Sequence, residues 1–375
     1  MILIPLVLLA VIGLLLYRRL VRAPRWRSRR TRVIATVAIV AWMAVMIFSF
    51  GVASRVLGPD AARPVSWFGG FSMGVFWYTL IGLLLLALCA GILRLLRRDE
   101  ADRLRLHRIG VPAVLVLAVA ITGGGVLRAM NPEVVAVDQP VRNLPSDLDG
   151  LTIALITDTH IGPIRDAGLA RKVVDRVNAA EPDLVVFSGD LVDGSVDDFG
   201  DLIAPFGDFT APLGVYAVTG NHEMYTGTIP GWLDRWEDLG ITVLANQNAS
   251  IRVGQTTLHL AGVHDKRGID PFTPDYDKAL EGIDPGDFTV LLAHQPSQVL
   301  DAQDRGIDLQ LSGHTHGGQV WPFKYLVALN EPLVSGAGVV GDVPIYVSSG
   351  AGTWGPPSRV GADPEIPLLT LHPAP

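Results

Sequence analysis

Leu151-Thr152-Ile153-Ala154-Leu155-Ile156-Thr157-Asp158-Thr159-His160 is the stretch on which the fold turns. Its first six residues are an almost unbroken apolar run of strand length, and the run stops at a carboxylate and an imidazole. The same pattern recurs along the chain. Leu184–Phe187 leads into Gly189-Asp190, with Asp193 three residues on. Gly214–Val218 leads into Gly220-Asn221-His222-Glu223. Phe288–Ala293 ends at His294, and Leu309–Leu311 runs into Gly313-His314-Thr315-His316-Gly317-Gly318-Gln319. Thr257–Ala261 and Ile345–Val347 are further strand-length runs, and helical patterns fall between them at Asp166–Ala180, Pro230–Leu239, Pro274–Gly282 and Pro296–Arg305. Strands alternating with helices predict an α/β arrangement with buried sheets. Open sheets of this kind place ligands beyond the carboxyl ends of their strands, so five loops are expected to meet in one crevice.

The side chains those loops bring are oxygen and nitrogen donors. The single cysteine, Cys89, sits in an apolar run, which excludes a disulfide framework and a thiolate zinc site. Carboxylate, amide and imidazole donors suit Mn²⁺, Fe, Zn²⁺ or Mg²⁺. Two neighbouring cations need a shared anionic ligand to offset their repulsion, and an Asp directly after a Gly, as at Gly189-Asp190, can supply one.

Farther out, the composition changes. The chain has 375 residues and a net charge of −7. Residues 1–128 nevertheless hold 17 Arg, no Lys and four acidic residues, so the first half is net positive and the net negative charge belongs to the second half. An acidic second half argues against a nucleic-acid scaffold. Four apolar stretches fill the first half: Met1–Tyr17, Val33–Ser54, Phe71–Leu93 and Ile109–Leu127. The last three are long enough to span a hydrocarbon core. The first is shorter and is read as a retained span, because its arginines follow it instead of preceding it as in a signal peptide. Eight Arg crowd Arg18–Arg32 and six crowd Arg94–Arg108, while Gly51–Gly70 carries only Arg55 and Arg63. Positive loops stay in the cytoplasm, so the second half is expected outside it. The expected organisation is a multi-pass anchor of about four helices over residues 1–128, a connector over 129–150, and a soluble domain over 151–375. No charged residue falls within a predicted span, which argues against an ion pathway.

Taken in order, Asp158-x-His160, Gly189-Asp190-x-x-Asp193, Gly220-Asn221-His222-Glu223, the lone His294 and Gly313-His314-Thr315-His316-Gly317-Gly318-Gln319 resemble the motifs of the calcineurin-like metallophosphoesterase superfamily. The lead-in Leu144–Gly150 and the tail from Ser349 to Ile366 look like its bacterial membrane-anchored branch. The resemblance implies a four-layer αββα sandwich and two divalent metal ions. One would be held by Asp158, His160, Asp190 and His316, the other by Asp190, Asn221, His294 and His314, with Asp190 as the bridge. His222 would face the substrate phosphate and leaving group as a catalytic residue. The implied reaction is hydrolysis of a phosphate mono- or diester by a metal-activated water, with manganese the favoured metal and a lipid-linked phosphoester a candidate substrate. The rival reading is a membrane sensor or transporter-associated domain that binds a phosphorylated ligand without turnover.

Other residues take humbler roles. Asp193 is read as a helix cap or a support for a ligand, and Glu223 as a support. Arg359 is read either as a phosphate contact or as solvated surface arginine. His264 lies near the crevice with an open role, and His259 is read as structural. Trp321–Leu329 is read as a packed hairpin loop in preference to a membrane-facing or lipid-facing segment.

Overall fold

In the computed structural model, which describes residues 11–51, 57–284 and 286–374, the chain divides into two units. Residues 1–126 with 355–358 form a helical unit, and residues 127–354 with 359–375 form an α/β unit. The predicted first span lies in part outside the described residues; its described end continues as a π-helical turn over Tyr17–Arg22.

Among the described residues, three long helices build the first unit: α1 (Arg29–Gly51), α2 (Pro59–Leu95) and α3 (Glu100–Ala129). Each contains a charge-poor window with mean hydropathy between 2.1 and 2.3, and each is long enough to cross a membrane. Leu20, Ile39, Leu83, Leu86 and Val111 pack inward. Val37, Leu88 and Val116 point outward and are more than half exposed. Gly82 lets α2 approach α3 closely, because a Cβ there would sit 2.6 Å from Val114 Cγ1.

The second unit holds two six-stranded mixed sheets. In the first the order is β1 (Glu133–Val141), β12 (Glu365–Pro373), β2 (Thr152–Ile156), β3 (Leu184–Ser188), β4 (Val215–Val218) and β5 (Thr242–Val243). In the second it is β10 (Gly336–Val340), β11 (Val343–Val347), β9 (Leu309–Ser312), β8 (Thr289–Leu292), β7 (Thr256–Gly262) and β6 (Gln247–Val253). β2, β3 and β4 run parallel, as do β7, β8 and β9, so the loops after them leave from matching edges. β1 begins inside the stretch read as a connector and pairs in parallel with β12.

Side-chain alternation assigns each strand residue to a layer. Ile153 and Leu155 face a core between the two sheets, together with Leu184, Val186, Val290 and Leu292. Ala154 and Ile156 turn the other way with Val185 and Phe187, onto α4 (Ala167–Ala179) and α6 (Ile229–Asp238), which contribute Val173, Val177, Trp232 and Trp236. Leu291 and Ala293 turn outward from the second sheet onto Tyr276, Ala279 and Val299. Three cores thus separate four layers, αββα. Asp166 caps α4 by accepting from Gly168 N, which sets where that helix starts. Between α4 and α6 lies α5 (Asn221–Tyr225), a single turn directly after β4.

Candidate metal centre

The loops after β2, β3, β4, β8 and β9 meet above the carboxyl ends of the two sheets. They bring Asp158 and His160, Asp190 and Asp193, Asn221 and His222, His294, and His314 and His316 within reach of one another. Two groups form. In the first, Asp158 Oδ1 lies 3.3 Å from His316 Nε2 and 3.9 Å from His160 Nε2, and the two imidazoles approach to 3.1 Å. In the second, Asp190 Oδ2 lies 3.1 Å from His294 Nε2, which is 3.3 Å from His314 Nδ1. Asp190 Oδ2 is also 3.8 Å from His160 Nε2, so one oxygen faces both groups.

Local backbone geometry makes these approaches feasible. Asp158, His160, Asp190, His314 and His316 all have φ between 48° and 71°, the left-handed region that Asp and His tolerate better than most residues. Such geometry bends each loop sharply enough to point consecutive donors inward. Gly189 has no alternative: a Cβ there would sit 2.7 Å from both Gly220 Cα and His294 Nδ1. Gly220 is just as constrained, because its Cβ would collide with Asp190 Oδ1.

The donor set fits metal ions on its own evidence. Asp158 is fully buried; Thr157 Oγ1 and His314 N donate to its Oδ2, while Oδ1 has no hydrogen-bond partner. Asn221 Oδ1 is likewise buried and without a partner. Leaving two such oxygens bare costs roughly 1–3 kcal/mol each unless something not made of protein satisfies them. The imidazoles are prepared too. His294 Nδ1 donates to Ser188 O at 2.7 Å and His160 Nδ1 to Asp193 Oδ1 at 3.1 Å, which turns both Nε2 atoms toward the cluster. Burial, aided by Arg359, holds His316 well below the usual imidazole range. Burial and His294 together push His314 down to about 3. Both rings are therefore neutral, as ligands must be.

His222 stands beside the two groups. Its Nδ1 donates to Asp193 Oδ1 at 2.6 Å, so Asp193 holds His160 and His222 at once. Asp193 does not cap a helix; Ser195 caps the turn that follows. Burial alone would lower the His222 pKa, but the carboxylates of Asp190 and Asp193 outweigh it and raise it to about 9.

Several supporting residues carry more than the sequence suggests. Glu223 is fully buried and accepts from the backbone N–H groups of Asp190, Leu191, Val192 and Gly220, at 2.6–3.1 Å, tying the loops after β3 and β4 together. Arg359 neither contacts solvent nor stands as a free phosphate ligand. It is fully buried and donates to the carbonyls of His316, Gly350 and Gly352, because those turns leave their oxygens pointing inward. His264 is buried against Phe272 and bonded to Thr219 Oγ1 at 2.9 Å, and burial takes it down to about 4. His259 bonds Ser250 and Asp287 on the far part of the second sheet. Trp321, Tyr325, Leu326 and Leu329 are about half exposed or more, so this segment is not the packed loop expected of it. Gln319 was the missed residue: its amide bonds both the N–H and the carbonyl of Trp354. Its place at the end of the Gly313–Gln319 motif was the only hint.

A family model described as calcineurin-like phosphoesterase matches residues 151–318. A transmembrane protein with metallophosphoesterase domain from Danio rerio is 35% identical over 286 residues, covering 74% of this chain and 65% of that protein. Its counterpart from Bos taurus is 38% identical over 279 residues, covering 70% and 62%. An uncharacterized metallophosphoesterase from Campylobacter jejuni is 35% identical over 280 residues, covering 73% of each chain. The matched region thus spans a little under two thirds of the two vertebrate proteins.

Proposed function

This chain belongs to the calcineurin-like phosphoesterase family, and from that premise we propose that it is a membrane-anchored, metal-dependent phosphoester hydrolase. The observation that carries the reading is Asp190 Oδ2, a single carboxylate oxygen facing His160 on one side and His294 on the other. One ion would take Asp158, His160, Asp190 and His316. The other would take Asp190, Asn221, His294 and His314. Bound divalent cations supply charge neutralisation at the phosphoryl group and acidify water. The all-oxygen-and-nitrogen donor set favours Mn²⁺, with Fe, Zn²⁺ and Mg²⁺ as alternatives.

The remaining chemistry falls to the chain's own groups. With its Nδ1–H given to Asp193, His222 directs Nε2 away from that bond. In the metal-free chain Asp190 and Asp193 raise the His222 pKa to about 9, and a protonated Nε2 would be placed to give its proton to the departing oxygen. Asp193 is a positioning residue that fixes the tautomers of His222 and His160 together.

The helical region supports an anchoring role over residues 1–128, while the stretch read as a connector over 129–150 contributes β1 to the first sheet, so the catalytic domain would include it together with 151–375. The arginine asymmetry of the loops favours an extracytoplasmic catalytic domain, and a membrane location favours lipid-linked phosphoesters among substrates. Purified full-length protein should hydrolyse a bis-aryl phosphate, lose that activity to a chelator and regain it with Mn²⁺. Retained binding of a phosphorylated ligand without any turnover would favour the sensor reading instead. Protease added to intact cells should digest the α/β unit while sparing Arg94–Arg108; protection of the α/β unit would overturn the orientation.

A further inference from the structure

Most of the metal centre is polar and enclosed, but its edge at His222 is aromatic and open. The His222 side chain is 16% exposed, and two large rings meet it. The Tyr225 ring is tilted by 58° with its centroid 5.6 Å away, and the Trp354 ring stands edge-on at 80° with its centroid 5.9 Å away. Both residues are exposed, Tyr225 at 64% and Trp354 at 44%. Their positions are fixed from within. Tyr225 ends α5, the turn that begins at Asn221, so it stands three residues from His222 on the same short helix. Trp354 is held by a two-point clamp: its N–H donates to Gln319 Oε1 at 3.0 Å, and Gln319 Nε2 donates to its carbonyl at 2.7 Å. Gln319 is itself buried, three residues beyond His316. The loop that carries two candidate metal ligands therefore also sets the place of an exposed indole.

Two exposed aromatic rings flanking one imidazole present a local apolar face that a ligand beside His222 can cover. The neighbour of both rings is the group assigned to the departing oxygen. We propose that Tyr225 and Trp354 form a subsite for an apolar substituent on the leaving alcohol of the phosphoester, and so select substrates by that group. The inference rests on the phosphoesterase reading above and adds a substrate class to it. In the reaction, water is added across the P–O bond: its oxygen bonds to phosphorus, the ester bond breaks, and the alcohol leaves with a proton. As it leaves, an apolar substituent on that alcohol can remain against the two rings, whereas a small or highly charged one gains nothing from them. An acyl chain and an aryl ring would both satisfy such a surface, and the shared requirement is apolar area beside the leaving oxygen.

The test uses the full chain loaded with Mn²⁺ and three esters of one phosphoryl group, with ethanol, 2-phenylethanol and n-octanol as leaving alcohols. These alcohols are nearly equal in acidity, so leaving-group chemistry is held constant. The expected result is kcat/KM about 10- to 100-fold higher for the phenylethyl or octyl ester than for the ethyl ester, the usual worth of a few apolar groups in a pocket. In Trp354→Ala combined with Tyr225→Ala that ratio should fall to within about threefold, while Trp354→Phe keeps most of it. Wild-type metal content in each variant establishes that the centre is intact. A stronger preference for octyl identifies an acyl chain, and one for phenylethyl a planar ring; either upholds the subsite. Equal hydrolysis of all three esters, or a ratio that survives the double substitution, would overturn it while leaving the phosphoesterase reading in place. Failure to hydrolyse any ester would instead remove the reading on which it stands.

Discussion

Leu88 of α2 is 62% exposed, whereas Leu155 of β2 is fully buried, and each is typical of its unit. The helical unit turns apolar side chains outward along all three long helices. Ser66, Thr79 and Thr122 are among its few buried polar side chains. The α/β unit does the reverse. Its strands bury Val, Leu and Ile on both faces, and it also buries Asp158, Asp190, Glu223, His294 and Arg359, all of them ionisable. Burying ionisable groups is costly unless they are paired or ligate a cation. The contrast teaches where to look for chemistry: the helices are built for an apolar surrounding and carry no cluster of such groups among the described residues, whereas the strand ends concentrate them.

The severest challenge to this contrast removes the shared oxygen. Asp190→Ala should abolish turnover and lose both metals, whereas His160→Ala should mainly lose one. Elemental analysis of the purified variants decides, and full metal content in Asp190→Ala would refute a centre built on that residue. Next in size, His222→Ala should lower kcat by roughly 10²–10⁴-fold with metal content unchanged. The loss should shrink for nitrophenyl esters, whose leaving group departs without a proton, and a uniform loss with depleted metal would make His222 a ligand. Third comes the apolar half of the contrast. Leu155→Ala should cost about 2–5 kcal/mol of stability, and Leu88→Ala less than about 0.5, measured by unfolding in detergent. A large cost at Leu88 would mean that face is packed against protein.

The subtlest test is pH. His222 is raised to about 9 from an ordinary 6.5, and His294 is raised well above its ordinary value. Groups raised in the fold stabilise it fully below their unfolded value and lose that contribution as pH climbs through the folded value. Chelator-treated protein should therefore melt at a lower temperature at pH 9 than at pH 6.5. With metal bound, the ligands are held deprotonated, and the melting temperature should rise across the same interval. Parallel slopes in the two forms would argue against metal at these histidines.

Much of this was legible in the sequence, for identifiable reasons. β2, β3, β8 and β9 are buried on both faces, so they read as short continuous apolar runs, and the polar residues after them stood out. β1 was passed over because it is an edge strand containing Asp138 and Pro140, with mixed exposure. β12 was not read as a strand because Pro367 and Pro373 look like breakers. The donor residues were visible by type and spacing. Glu223 was legible as a support, but its backbone partners and the roles of Arg359 and Gln319 were not, because each acts on backbone groups far along the chain, and such contacts exist only once the loops have folded.

The left-handed backbone at the five donor positions has a further consequence for evolution and engineering. Each non-glycine residue held there carries about 1 kcal/mol of strain that glycine would not. In the metal-free chain, His314→Gly should therefore raise the melting temperature while disabling the centre. A library of variants screened for thermal hardiness alone would drift toward glycine in these loops, so the hardiest descendants would be the inert ones. Any campaign to toughen this protein has to select for turnover at every round.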